Sequence, residues 1–187
     1  MENNNHSKTV GLSRAIIAYG GTMKFITAEW LIRISIRPPH VSDLTGIPEG
    51  RAVAMWAEIH GERPPRGQLP EFAANLLQTR EKSVHGSLFA YYYFLEGGNK
   101  IYDGQVAEAI ITAYIAYLKK VDKVIISGEV AFMISRDLVK KSILNSEKKN
   151  SDMELSVCQE CFAYYVKSDK RRSTEDCPFC AISSVGF

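Results

Sequence analysis

The sequence predicts a mainly α-helical chain that ends in a small four-cysteine module. Apolar residues recur three and four apart in several stretches, as one face of a helix requires. Glycines and prolines punctuate those stretches. All four cysteines fall in the last thirty residues as two C-x-x-C pairs. The expected architecture is a helical body with a helix-turn-helix-like segment, residues 1–150, followed by a zinc-ribbon-like module, residues 151–187.

The first helical pattern runs from Leu12 to about Ile36 through Ile16, Tyr19, Met23, Ile26, Trp30 and Ile34, with Gly20 and Gly21 as a break or kink. Pro38 and Pro39 end it, since neither has an N–H to donate. Val41–Leu44 forms a short helical turn closed by Gly46. The next helix runs from Pro48 to His60, its inward face Val53, Met55 or Trp56, and Ile59, with Gly61 as C-terminal cap. A proline-rich loop reaches Pro70. Helices are then expected over 71–82 and 84–95, the second rich in Phe89, Tyr91, Tyr92, Tyr93 and Phe94. Asp103 caps the following helix, whose stripe is Val106, Ile110, Tyr114, Tyr117 and Leu118 and whose end carries Lys119 and Lys120, favourable at the negative end of the dipole. Ser127 caps a last helix with Val130, Ile134 and Leu138 on one face. Residues 140–153 are charged and polar and read as a linker.

Composition sets limits on function. With 45% hydrophobic and 24% charged residues the 187-residue chain buries a core. Its net charge of +2 excludes a histone-like coat, so any nucleic-acid binding depends on local basic side chains. No apolar run reaches the ~18–20 residues that span a bilayer. The start lacks a basic region followed by an apolar one, so the expected location is the cytoplasm, with no membrane partner. No phosphate loop, dinucleotide fingerprint, H-E-x-x-H or G-x-S-x-G motif is present, and neither an enzyme nor a small-molecule substrate is indicated. His60 and His85 have no nucleophile and carboxylate set beside them in the sequence and read as packed or solvent-facing residues.

The cysteines carry the strongest signal. Cys158 and Cys161, then Cys177 and Cys180, are separated by fifteen residues, the spacing of a four-thiolate zinc site. Disulfides are disfavoured by a reducing cytosol. A thioredoxin-like pair needs a βαβ surround, and rubredoxin-type iron, which also accepts four sulfurs, lacks an evident redox partner site. Zinc held by four protein ligands has no open position for water, so the expected cofactor is one structural Zn²⁺ per chain. Between the pairs, Phe162–Val166 is strand-like and Lys167–Asp176 a polar hairpin turn.

Ile26–Gly61 has the helix, short helix, turn, helix order of a DNA reader. Basic candidates for DNA contact, chosen from charge and placement, are Arg51, Arg63 and Arg66 near this segment and Lys167, Lys170, Arg171 and Arg172 in the cysteine module. The tyrosine run at 91–93 covers almost a full helical turn, so it reads as mostly core and interface, with some rings looking outward as a surface for a partner.

The stretches RAVAMWAEIHG (51–61), RPPRGQLP (63–70) and VHGSLF (84–89), followed by the two cysteine pairs, resemble FlhC, the flagellar master transcription activator subunit family, over roughly residues 12–182. The resemblance implies zinc ligation by Cys158, Cys161, Cys177 and Cys180. It also implies assembly with a small helical FlhD-like subunit, in the flagellar case four partners to two of this chain, binding of double-stranded promoter DNA, and contact with RNA polymerase. FlhC-like activators also occur on conjugative elements. Pro38–Pro39 and the tyrosine run depart from the enterobacterial flagellar proteins and slightly favour the conjugative branch. A zinc-stabilised adaptor that binds only protein is the alternative, which the near-neutral charge and outward tyrosines favour.

Overall fold

The computed structural model describes residues 21–139, 153–168 and 177–180. Helix α1, described over 21–33, is followed by α2 (Pro38–Thr45), α3 (Glu49–His60), α4 (Arg80–Gly97), α5 (Ala107–Lys120) and α6 (Gly128–Asp137). Short 3-10 turns occupy Ala73–Leu76 and Gly98–Tyr102. Strands β1 (Glu154–Val157) and β2 (Tyr164–Lys167) form one antiparallel pair in the register Glu154↔Lys167 to Val157↔Tyr164.

The chain makes two compact units. One joins α1 with Arg37–Pro64. The other joins Ile34–Ile36 with the chain from Pro65 onward. The contacts therefore divide within the proline-rich loop, whereas the sequence suggested a boundary near 150. The cause is that β2 packs on α4.

In the first unit α2 and α3 meet across a tight turn. Gly46, at φ +70°, caps α2 in the left-handed region and its N–H reaches the Ser42 carbonyl. That conformation is costly for a side chain with a Cβ and free for glycine. The Ser42 hydroxyl donates to the Ile47 carbonyl at 2.7 Å, fixing the turn. Gly61 ends α3 in the same way, as expected. The buried face of α3 is Ala52, Met55 and Trp56; Val53 points outward and Ile59 is half-buried. On α1 the expected stripe is displaced. Ala28, Leu31 and Ile32 are buried, while Met23, Ile26 and Trp30 are exposed.

In the second unit α4 lies against α5, α6 and β2. It buries Ser83, Gly86, Ser87, Phe89, Ala90 and Tyr93, and half-buries Tyr91, Tyr92 and Phe94, because it has neighbours on several sides instead of a single apolar face. The helix expected over 71–82 is a 3-10 turn and a loop, and α4 starts at Arg80 under a Thr79 cap. The turn is held from a distance: the Asp137 carboxylate accepts the Ala73 N–H at 2.6 Å. Asp103 does not cap α5. It ends the second 3-10 turn, and the Val106 N–H at the start of α5 donates to the Tyr93 hydroxyl at 3.0 Å. Burial pushes the Tyr93 phenol up to about 12. Ser127 caps α6 as expected, accepting from the Val130 N–H. Gly128 follows because a Cβ there would overlap the Ile34 carbonyl. On α5, Ile110, Tyr114 and Tyr117 are buried and Leu118 is not.

The expectations for residues 1–20 and for the linker over 140–152 lie outside the described residues. Among the described residues no helix is long and apolar enough to cross a membrane.

Candidate metal centre and basic side chains

The centre begins where β1 runs out. The Cys158 N–H donates to the Ala163 carbonyl at 2.9 Å and the Phe162 N–H to the Cys158 carbonyl at 3.0 Å, closing a tight turn between the strands. The described hairpin is thus turned by the first cysteine pair. The sequence pattern predicts a polar hairpin turn over Lys167–Asp176, but Lys167 is the last residue of β2 and 169–176 lie outside the described residues. Phe162 takes φ +58° and is 75% exposed, a strained position occupied so that the chain can reverse directly after Cys161.

Cys177–Cys180 brings in the second pair. The Cys158 and Cys180 sulfurs lie 3.5 Å apart, the Cys161 and Cys177 sulfurs 3.6 Å apart, and all four fall within 4.8 Å of one another. A disulfide needs about 2.05 Å, and all four cysteines are free. A regular tetrahedron with metal–sulfur bonds of about 2.3 Å has sulfur–sulfur edges of about 3.8 Å, so the spacing fits one four-coordinate ion. The electrostatics point the same way. Backbone N–H groups of Cys161 and Glu160 aimed at its sulfur pull the Cys158 thiol down to about 7. Hydrogen bonds with Cys161 and Cys158 push Cys180 up to about 12, and burial raises Cys177. Four thiolates this close repel one another, and a cation among them reverses that balance. The cluster can hold one metal ion, and four cysteines would fill its tetrahedral positions.

The module is seated on α4 by three contacts that sequence reasoning missed. The Val166 N–H donates to the buried Ser87 hydroxyl at 3.1 Å. Arg80 Nε donates to the Pro178 carbonyl at 3.1 Å. Tyr164 stacks on Tyr91 with ring centroids 5.1 Å apart. The partners are separated by 73 to 98 positions, beyond the reach of local sequence patterns.

The basic candidates are dispersed. Arg51 is exposed in the first turn of α3, 3.7 Å from Glu58, and Arg63 is exposed beyond Gly61, both in the first unit. Arg66, exposed, and Lys167, half-buried opposite Glu154, belong to the second. Lys170, Arg171 and Arg172 lie outside the described residues. Neither His60 nor His85 joins the cysteines: the His60 ring bonds the Ile32 carbonyl and His85 the Tyr117 hydroxyl.

The Tyr117 hydroxyl accepts from the N–H groups of Ile125 and Ile126, so its own proton goes to His85 Nδ1, 2.8 Å away. That arrangement requires a neutral His85 ring, and burial lowers its pKa below 6.5 against the opposing pull of Glu81.

Comparison with known proteins extends this picture to nearly the whole chain. The flagellar transcriptional regulator FlhC of Proteus mirabilis is 28% identical over 138 residues, covering 73% of this chain and 66% of its own length. The regulator of the same name in Gallionella capsiferriformans is 29% identical over 79% of this chain and 76% of its length, and that of Yersinia enterocolitica 33% over 48% and 45%. The chain matches less than two thirds of the length of the Proteus and Yersinia proteins. The family described as "Flagellar transcriptional activator (FlhC)" matches over residues 14–186, including all four cysteines. That family consists of transcriptional regulators, not enzymes, and the chain belongs to it.

Proposed function

We propose that the chain is the DNA-binding subunit of a transcription activator, working in the cytoplasm as a hetero-oligomer with an FlhD-like helical partner. The family match over residues 14–186 carries this reading. One structural Zn²⁺ on Cys158, Cys161, Cys177 and Cys180 would supply a rigid platform; the sulfur spacing supports it. The α2–α3 pair, with its tight glycine turn and Arg51 exposed at the start of α3, is offered as the helix-turn-helix-like reader. Arg51, Arg63, Arg66, Lys167, Lys170, Arg171 and Arg172 are the proposed contacts to duplex promoter DNA, and RNA polymerase is the proposed downstream partner. The exposed Met23, Ile26 and Trp30 of α1 support a protein partner in the same assembly. The promoters would be those of flagellar or, slightly preferred, conjugative-transfer genes.

The test is selection of bound fragments from a random double-stranded library by the chain with its partner, followed by a gel-shift series in rising salt. A specific site whose affinity falls steeply with salt supports the reading. A complex that forms with the partner and selects no DNA sequence overturns it in favour of an adaptor that binds only protein.

A further inference from the structure

Arg80 opens α4 at a place where a cation is unfavourable. Thr79 caps the helix by accepting the Lys82 N–H, and the free N–H groups of the first turn make that end positive. Glu81 suits such a position and Arg80 does not. Its side chain is exposed, so burial does not account for it. What Arg80 does is donate from Nε to the carbonyl of Pro178, the buried residue next to Cys177.

The two cysteine pairs differ in what holds them. Cys158 and Cys161 sit in a hairpin with its own strand pairing and the Ser87 contact. At the second pair, the Arg80 side chain reaches from α4 to hydrogen-bond the backbone between the two cysteines, at Pro178. A divalent ion bound by four thiolates carries a net charge of −2, and residues that bond the backbone around such ligands orient them and balance that charge.

We infer that Arg80 is a positioning residue of the metal centre, holding the second cysteine pair in ligating geometry at some cost to α4. This rests on the zinc reading above. The full-length chain is loaded with zinc and challenged with a chromogenic chelator while thermal melting of the helices is followed separately. Arg80→Ala is expected to release zinc about tenfold faster, with helix melting unchanged or slightly raised because an ill-placed cation has gone. Arg80→Lys, which keeps the charge, should fall between the two. Lys82→Ala, removing a neighbouring exposed cation, should release zinc at the wild-type rate. The inference is overturned if Arg80→Ala matches wild type in release, if Lys82→Ala accelerates it equally, or if Arg80→Ala lowers helix melting in step with release. A wild-type chain that takes up no zinc overturns the zinc reading and this inference together.

Discussion

The α4–α6 helices and the cysteine hairpin share one unit but are held together by different means. The helices bury Phe89, Tyr93, Ile110, Tyr114, Tyr117, Met133 and Ile134 at 5% exposure or less. Their tyrosine hydroxyls bond backbone groups: Tyr93 holds the start of α5, and Tyr114 and Tyr117 hold the segment leading into α6. The hairpin has two four-residue strands and leaves Val157, Phe162 and Tyr164 exposed. A lone two-stranded sheet is marginal in water. Burial accounts for the first region, whereas the second has little core of its own and depends on its seat along α4 and, under the proposed zinc reading, on ligation.

Metal removal should separate the two most sharply. Chelation, or Cys158→Ser, is expected to abolish amide protection in β1 and β2 while α5 and α6 keep theirs, since structural zinc sites supply on the order of 10 kcal/mol of apparent binding energy. Hydrogen exchange reads this directly, and simultaneous loss of protection in α5 would merge the two regions. Phe89→Ala acts on the other side. It should cost about 3–5 kcal/mol in denaturant unfolding. Ser87→Ala tests the seam, leaving the Val166 N–H buried without its partner at a cost of about 1–3 kcal/mol and loosening β2 before α5 in hydrogen exchange. Ser127→Ala removes the α6 cap for about 1 kcal/mol, with the hairpin unaffected.

The gentlest probe is pH. Because the folded His85 has a lowered pKa, the unfolded chain binds more protons just below pH 6.5. Its contribution to stability is therefore complete above 6.5 and declines as pH falls through the folded pKa. His85→Gln, followed by melting between pH 7.5 and 5, should flatten that decline. An unchanged slope would show that the Tyr117 proton does not depend on a neutral ring.

What the sequence made legible was local. The Ser127 cap, the Gly46 and Gly61 stops and the two cysteine pairs each depend on a few neighbouring residues, and each stands where periodicity and spacing placed it. Errors arose where distant groups decide the outcome. Asp103 was the evident cap for α5, yet a tyrosine from α4 holds that end. Glu71–Lys82 has helix-forming residues, yet Asp137 fixes a 3-10 turn there. The apolar stripe of α1 through Met23, Ile26 and Trp30 is genuine in the sequence but faces outward, as periodicity alone does not say which face is covered. Nor does spacing along the chain reveal that Ser87, Arg80 and Tyr91 join the cysteine hairpin to α4.

The decisive measurement is X-ray absorption at the zinc edge on the purified full-length chain. One zinc per chain, surrounded by four sulfurs at about 2.3 Å, is the result expected from the convergence of Cys158, Cys161, Cys177 and Cys180. A metal-free chain, or a zinc bound through nitrogen and oxygen, would contradict it.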